Sequence, residues 1–373
     1  MKTKIDLLKP HISNRELCYI EDAFADNWIT TGGGNVDRFE KKIAAFCKKK
    51  EVLCVNSGTS AIHLSLILLG VKKEDIVICQ SFSFCASVNP VKYLGAIPVF
   101  VDSEEQTWNM NPYYLEKAIK ECINKKKKPK AIIVTDSYGM PARWKEISSI
   151  AEKYDVPIIE DAAEALGSLY YGTNCGGFGD IAIYSFNGNK IVTTSAGGAM
   201  LLNSKKQKDE ALHYATQAKE SNEGYKHDML GYNYRMSNVL AGIGIAQIES
   251  LEERVKQKRQ LNQFYFSLLK EATPFTLKQE SQDVYSNYWL NCIRSNSISS
   301  LEKLKNEFKK ERIEYRELWY PLHLQSIYKN CLFYGSGICN QIYENGLALP
   351  SSTNLSEKDK SRIAKTLNLF NAG

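Results

Sequence analysis

Short runs of apolar, mostly β-branched residues alternate with helix-like segments through the first two-thirds of the chain. The runs predict strands at Val52–Val55, Ile76–Cys79, Ile97–Val101, Ala131–Thr135, Val156–Glu160, Ile181–Phe186 and Ala199–Leu202. The segments between them predict helices at Ser60–Leu69, Ala86–Tyr93, Tyr113–Ile123 and Arg143–Tyr154. This alternation is typical of an α/β fold, in which helices cover both faces of a large, mostly parallel sheet. Such sheets bind ligands at the carboxyl ends of their strands.

The pattern changes near Val239, where a long, charged helical segment begins to dominate. It predicts a helix through Gln247–Leu269, followed by a strand at Tyr288–Ile293, a helix around Ser300–Glu311 and a last helix after Ser356. The change predicts two domains, a large one over residues 1–245 and a small C-terminal α/β domain over residues 246–373.

The composition is that of a globular protein with a sizeable core: 43% of the 373 residues are hydrophobic and 24% are charged. No apolar run reaches the roughly 18 residues that a membrane span needs, and we expect no membrane partner. The ten cysteines are scattered without Cys-x-x-Cys spacing. They therefore predict a reducing, cytoplasmic compartment and neither a disulfide framework nor a metal site.

The formal net charge of +6 comes partly from Lys125–Lys128, which Pro129 and Lys130 follow. No aromatic residues interleave with these lysines, so we interpret them as a solvated loop and expect no nucleic-acid partner. A modest positive charge does suit a small anionic substrate.

A candidate phosphate site lies in the segment Asn56–Ala61, NSGTSA, which follows a predicted strand and opens an apolar helix. Free backbone N–H groups, hydroxyls and the positive end of the helix dipole together bind phosphate. Ser57, Gly58, Thr59 and Ser60 are the candidate ligands. Serine and threonine are also ordinary helix N-caps, and that interpretation stays open.

Two acidic residues, Glu160 and Asp161, stand at the end of a later apolar strand, where a sheet places its ligands. Asp161 could pair with a protonated heterocyclic nitrogen, or it could simply cap a helix. Alternation along the strand points Glu160 to the opposite face.

Lys190 follows another strand in the polar turn Ser185–Lys190, SFNGNK, and a glycine-containing stretch follows it. A lysine that acts as a nucleophile must be neutral part of the time, which partial burial near other cations promotes. Phosphate loop, strand-end aspartate and lysine are together the three parts that an enzyme dependent on pyridoxal 5′-phosphate (PLP) needs. The sequence therefore predicts PLP as cofactor, with Lys190 as its Schiff-base lysine.

Several longer motifs carry a resemblance to a known family. They are NWITTGG (27–33), NSGTSA (56–61), the block at 81–102, YGMPA (138–142), EDAAEALGS (160–168), the block at 179–200 and GYNYRMSN (231–238). Over about residues 8–369 the chain resembles the DegT/DnrJ/EryC1/StrS family of nucleotide-sugar aminotransferases. The resemblance implies the PLP-dependent transferase fold type I, which is aspartate aminotransferase-like.

The resemblance also implies roles for single residues. Lys190 is implied to bind the cofactor and move protons, and Asp161 to pair with the pyridine nitrogen. Phe84 is implied to stack on the cofactor ring, and Glu164 to lie near its phenolic oxygen. The other implied cofactor-binding residues are Ser57, Gly58, Thr59, Ser60, Ser185, Asn187 and, from the neighbouring subunit of a homodimer with shared active sites, Asn233. Related sugar dehydratases have histidine in place of the lysine, so Lys190 favours transamination.

Three C-terminal segments, at 286–290, 315–325 and 348–354, resemble the branch that aminates UDP-4-keto-6-deoxy-N-acetylhexosamines. The expected function is transfer of an amino group from L-glutamate to C4 of such a sugar, for surface polysaccharide or glycan biosynthesis. The candidate substrate-binding residues are Arg235, Trp319, Tyr320 and His323. Trp319 is equally typical of a core residue of the small domain.

Three alternatives remain open. The same chemistry could act on a GDP- or dTDP-linked keto sugar, including amination at C3. A nicotinamide dehydrogenase would need Gly-x-Gly-x-x-Gly after the first strand, and Asn56–Ser60 does not supply it. A PLP-binding regulator without catalytic activity would share the fold, because fold alone does not determine function.

Overall fold

Eight strands form one large sheet in the computed structural model, which describes residues 2–48, 51–220, 224–269 and 273–370. The strands of the described residues are β1 (Glu51–Val55), β2 (Ile76–Gln80), β3 (Ile97–Val101), β4 (Ala131–Thr135), β5 (Ile158–Asp161), β6 (Leu169–Tyr170), β7 (Thr173–Asn174), β8 (Ile181–Ser185), β9 (Gly198–Leu202), β10 (Phe275–Leu277), β11 (Val284–Tyr285), β12 (Asn291–Ser295), β13 (Arg316–Glu317), β14 (Phe333–Tyr334) and β15 (Gly346–Leu349). All seven strands predicted in the first two-thirds are present, with ends within two residues of the prediction.

The helices of the described residues are α1 (Glu16–Ala25), α2 (Gly34–Cys47), α3 (Gly58–Leu68), α4 (Asn89–Tyr93), α5 (Pro112–Asn124), α6 (Trp144–Tyr154), α7 (Lys205–Ala215), α8 (Asn238–Glu249), α9 (Leu251–Leu269), α10 (Ile298–Lys310), α11 (Ile338–Asn345) and α12 (Glu357–Leu367). Among them, none is both long and apolar enough to cross a membrane.

The large sheet has the order β1-β9-β8-β5-β4-β2-β3-β14. The pairs from β8 through β5, β4, β2 and β3 to β14 are parallel, whereas β9 pairs antiparallel with both β1 and β8. The predicted mostly parallel sheet is therefore confirmed. Parallel alignment brings the carboxyl ends of β4, β5 and β8 to one edge, with Thr135 opposite Asp161 and Asp161 opposite Ile183.

The sheet is buried on both faces. Along β4, Ile132 and Val134 belong to one apolar cluster, and Ile133 belongs to another cluster on the opposite face. Each buried side chain of this size stabilises the fold by roughly 1.5–3 kcal/mol. Covering helices on both sides explain why the strands read as continuous apolar runs instead of alternating patterns.

The predicted long helix through Gln247–Leu269 was wrong in its continuity, because α8 ends at Glu249 and α9 begins at Leu251. Ser250 lies between them, and its hydroxyl donates to the backbone carbonyls of Ala246 and Gln247. A serine that satisfies the last carbonyls of a helix favours its end at that point.

The predicted helix Ala86–Tyr93 is also divided, into a 3₁₀ turn at Cys85–Ser87 and the short α4. Pro90 has no N–H to donate and stands in the first turn of α4, so the helix restarts there. The predicted strand Tyr288–Ile293 instead begins at Asn291. Tyr288 has φ +45°, a left-handed conformation that a strand does not contain.

A second sheet, β10-β12-β15-β13, forms the core of the C-terminal part, and β11-β6-β7 forms a third. The predicted domain division at residue 245 falls inside α8, β14 joins the large sheet from residues 333–334, and Ile5 pairs with Ile313. The division at residue 245 stays a prediction.

Candidate active site

A cavity of about 260 Å³ lies at the carboxyl ends of β4, β5 and β8, beside the first turn of α3. It is where a parallel sheet places its ligands. Ten of the predicted site residues line this cavity: Ser57, Gly58, Thr59, Phe84, Asp161, Glu164, Ser185, Asn187, Lys190 and Trp319. The fold therefore brings together residues that are up to 262 positions apart in the chain (from 57 to 319).

Lys190 ends the turn after β8, where its N–H donates to the carbonyl of Asn187 and Gly188 has φ +56°. Its amine lies 3.0 Å from Glu164 Oε1, and the second oxygen of Glu164 accepts the N–H of Tyr138 at 2.7 Å. The same amine lies 4.1 Å from the centre of the Trp289 ring. A carboxylate and an aromatic face thus hold the Lys190 side chain in place.

Asp161 is buried at the end of β5, and both of its hydrogen-bond partners are neutral. Its carboxylate accepts the Ser87 hydroxyl at 2.6 Å and the N–H of Ala163 at 3.1 Å. Burial raises the pKa of Asp161, although these two hydrogen bonds act against the shift. A buried carboxylate in this setting gains stability from a cationic donor, which a protonated heterocycle would supply.

The opposite end of the cavity is the first turn of α3. Ser57 is the N-cap, and its hydroxyl oxygen accepts the N–H of Ser60 at 3.0 Å. Since the first N–H groups of a helix have no partner within the helix, those of the first turn are available to a phosphate. Ser57 is thus an N-cap and a cavity residue at once, so the two interpretations are compatible. Ser60 turns its hydroxyl to Asn56 and lies outside the lining.

Aromatic rings form one wall. Tyr138 stacks between Trp289 and Trp319, with ring centres 6.3 and 5.6 Å away, and its hydroxyl accepts the N–H of Trp319 at 2.9 Å. Phe84 lies 5.3 Å from Trp319 and is 51% exposed, although phenylalanine is usually buried. Its ring is thus accessible to a flat ligand.

Besides Ser60, four predicted residues lie outside the cavity lining. Arg235 pairs with Glu40 and donates to the carbonyl of Cys54; its predicted contact with substrate, from the neighbouring subunit, stays a prediction. Its guanidinium has a buried carboxylate partner within the same chain. The other three are Asn233, which is exposed, His323, which bonds Ser81 and stacks on Phe333, and Tyr320, which packs against Tyr343.

Sequence reasoning did not name eleven of the 21 cavity residues, among them Ser87, Trp289 and Arg316. Ser87 was hidden in a segment that reads as a helix, and Trp289 in one that reads as a strand. Arg316 is an exposed residue of β13, and although it lies in the segment 315–325, whose resemblance points to the substrate, nothing in the sequence singled out this residue. Its position at the cavity offers a planar cation that matches carboxylate or phosphate oxygens.

Glu160 points away from this cavity, as alternation along the strand predicts. Its carboxylate accepts the N–H groups of Gly176, Phe178 and Gly179 and so fixes the loop before β8.

The residues present fit PLP on structural grounds. A helix N-terminus faces one end of the cavity, and a buried carboxylate with only neutral donors faces another part. Lys190 has its amine in the cavity beside a carboxylate, and Phe84 presents an accessible ring. The helix N-terminus would hold the phosphate of the cofactor, and the buried carboxylate would hold the ring nitrogen. Lys190 would bind the carbonyl carbon, and Phe84 would cover one face of the ring.

Comparison with known proteins agrees with this fit. A sequence model of the DegT/DnrJ/EryC1/StrS aminotransferase family matches residues 10–368. The chain is 43% identical over 371 residues to EpsN of Bacillus subtilis, named as a candidate pyridoxal phosphate-dependent aminotransferase, covering 98% of this chain and 96% of EpsN. It is 34% identical to a GDP-perosamine synthase of Escherichia coli O157:H7, with 98% of each chain covered.

A further relative has a UDP sugar in its name. The UDP-4-amino-4,6-dideoxy-N-acetyl-beta-L-altrosamine transaminase of Campylobacter jejuni is 34% identical over 239 residues, covering 64% of this chain and 62% of that relative. Among solved structures, a DegT DnrJ EryC1 StrS aminotransferase from Brucella abortus superposes with a TM-score of 0.90 at 29% identity, covering 96% of each chain.

Proposed function

Because this chain belongs to the DegT/DnrJ/EryC1/StrS aminotransferase family, we propose that it transfers the amino group of L-glutamate to C4 of a UDP-linked 4-keto-6-deoxy-N-acetylhexosamine. PLP is its cofactor. The product would be a UDP-4-amino sugar for surface polysaccharide or glycan biosynthesis. The observation that carries the proposal is the single cavity in which Lys190, Glu164 and Asp161 meet.

Each of these residues has a part in the reaction. The bound PLP supplies a carbonyl that takes up the amino group and a ring that stabilises negative charge on the donor's α-carbon. Lys190 Nζ moves the proton from that α-carbon, and it must lose its own proton first. Glu164 orients the amine from 3.0 Å, and Asp161 keeps the ring nitrogen protonated.

Arg316 would bind an anionic group of the substrates. It lines the cavity, as Trp319 does, and it is the one arginine among the described lining residues. L-Glutamate carries carboxylates and a nucleotide sugar carries a diphosphate, both of which suit a guanidinium. The segment around it, 315–325, is one of the three whose resemblance favours a UDP sugar.

A GDP-linked keto sugar is the second candidate. The relative named GDP-perosamine synthase aligns with 98% of this chain, whereas the relative with a UDP sugar in its name aligns with 64%. Nothing in the cavity itself distinguishes the nucleotides, since the described lining residues surround the reacting groups.

A homodimer would complete the site. Asn233 is exposed, and Trp28 and Ile29 lie beside its segment, where Asn238 donates to the carbonyl of Trp28. Both apolar side chains are about half exposed, at 51% and 52%, which is typical of a surface that a partner covers. The ten cysteines form no disulfide among the described residues, which suits the predicted reducing, cytoplasmic compartment; that compartment stays a prediction.

The test uses the visible absorbance of the bound cofactor. L-Glutamate should bleach the band by converting the enzyme to its amino form. Addition of the UDP-4-keto-6-deoxy-N-acetylhexosamine should then restore the band, with dTDP and GDP keto sugars measured in parallel. Recovery with the GDP sugar alone would keep the reaction and replace the substrate. A band that none of these compounds changes would indicate a PLP-binding regulator.

A further inference from the structure

Lys258, in the middle of α9, is buried and has no carboxylate partner among its hydrogen bonds. It is 3% exposed, and its amine donates to the backbone carbonyls of Trp289, at 2.8 Å, and Ser351. Burying an amine away from a counter-charge is unfavourable, and burial lowers the pKa of Lys258 to about 7. The hydrogen bonds of the Lys258 amine therefore stabilise another part of the molecule and not Lys258 itself.

The part of the molecule that Lys258 stabilises is the buried loop of residues 286–290, which precedes β12. All five residues are buried, yet they pair with no strand. Buried carbonyls outside regular structure need donors from side chains. Lys258 satisfies the carbonyl of Trp289 and also ties the loop to Ser351, which follows β15.

The same loop touches both members of the Lys190–Glu164 pair. The Asn287 side chain donates to the carbonyl of Glu164 at 2.9 Å. The Trp289 ring faces the Lys190 amine, and its indole N–H donates to the carbonyl of Asn189 at 3.0 Å. Lys258 therefore holds the backbone of a residue whose side chain contacts the reactive lysine.

The neighbouring charged groups have other partners. On α9, Arg254 donates to the carbonyls of Ile191 and His11, and Arg259 binds Glu280. From the loop, the hydroxyl of Tyr288 accepts the N–H of Glu280. Across the Trp289 ring, Lys190 pairs with Glu164. Lys258 is thus the charged group of α9 that acts directly on the Trp289 backbone.

We infer that Lys258 is a positioning residue: it fixes the Trp289 ring against Lys190 Nζ and so sets the proton affinity of the lysine that holds the cofactor. The ring face stabilises positive charge at Lys190 Nζ. Loss of the clamp lets the ring move and removes part of that stabilisation. This inference rests on the proposed cofactor role of Lys190.

The experiment compares Lys258→Met, which has no donor, with Lys258→Gln, whose amide can still donate. Lys256→Met is the control, because Lys256 is an exposed lysine of the same helix. The readout is the pH at which the visible band of the PLP-loaded enzyme changes, together with the melting temperature. Both are recorded again in a Trp289→Leu background.

In Lys258→Met we expect the midpoint of the pH titration to fall by roughly one pH unit, because a cation over an aromatic face gains about that much. Lys258→Gln should shift the midpoint less, and Lys256→Met should not shift it. In the Trp289→Leu background the Lys258 substitutions should add little further shift, since both changes remove the same contact. If Lys258→Met does not fold, the comparison uses Lys258→Gln, measured with native Trp289 and in the Trp289→Leu background.

An unchanged midpoint in Lys258→Met, with only a lower melting temperature, would overturn the inference, as would a full shift that persists without Trp289. Lys190→Ala tests the premise separately. If that variant retained the pH-sensitive band, the assignment of Lys190 would fail, whatever Lys258 does.

Discussion

At the scale of single residues, the environment of a side chain decides its chemistry. Asp161 and Glu164 are both buried carboxylates that line one cavity. Glu164 has a lysine at 3.0 Å, whereas Asp161 has a hydroxyl and a backbone N–H. Glu164 already has a cation, Lys190, whereas Asp161 is left to bind one. Composition and motif could suggest these roles, but only the contacts separate them.

Asp161→Asn should therefore slow the reaction without abolishing cofactor binding. The amide cannot pair with a protonated ring nitrogen, and losing one charge-assisted hydrogen bond of about 1.5–3 kcal/mol predicts a drop of roughly 10- to 100-fold. The rate of bleaching by L-glutamate measures it, with bound PLP quantified in the same sample. Asp155→Asn, on an exposed aspartate, is the control. A wild-type rate with full PLP content would contradict the assignment.

At the scale of elements, the phosphate end of the cavity depends on how closely β9 approaches the first turn of α3. A Cβ added to Gly198 would lie 2.5 Å from Gly58 N and from Ser57 C. A Cβ added to Gly58 would lie 3.0 Å from that of Ser185. Two glycines thus let strand and helix meet where a larger residue would separate them.

Gly198→Ala should push the Ser57–Gly58 turn away and weaken phosphate binding. We expect the dissociation constant of PLP to rise by roughly tenfold, the loss of about one charge-assisted hydrogen bond. Titration of apoprotein with PLP, followed by absorbance, measures the change. Gly34→Ala is the matched control, since a Cβ there meets no atom within 4 Å. Equal affinities in the two variants would show that the close approach does not hold the turn.

At the scale of the whole molecule, the described chain brings most, but not all, of the predicted site residues to one cavity. Asn233 is exposed beside the half-exposed Trp28 and Ile29 segment. It does not line the cavity of its own chain, so the contact proposed for it is with the cavity of a second copy. Under this proposal the dimer would be required for catalysis.

Mixing Lys190→Ala with Asn233→Ala subunits tests sharing. A mixed dimer would contain one site with both native residues, so random exchange should restore about a quarter of the wild-type activity, since about half of the dimers are mixed. Activity is measured after partial unfolding and reassociation, with each variant treated alone as the control. Activity no higher than the sum of the separate variants would exclude sites shared through Asn233.

The fold class, the seven central strands and the positions of the candidate lysine, aspartate and phosphate-loop residues at strand ends could all be predicted from the sequence. These depend on local information: apolar runs of strand length, and polar residues directly after them, which a parallel sheet must gather at one edge. Segments with competing local signals were less predictable. Ser250 ended a helix that periodicity continued, and Tyr288 delayed a strand by adopting a left-handed conformation.

Only the tertiary structure decided which partners these residues have. The pairing of Lys190 with Glu164, the Trp289 ring beside it, Arg316 at the cavity and Lys258 beneath the loop join positions between 26 and about 130 residues apart. Such contacts leave no periodic trace in a single sequence, because they arise from packing between elements and not within them. The same packing pairs Arg235 with Glu40 of its own chain, which the sequence did not indicate.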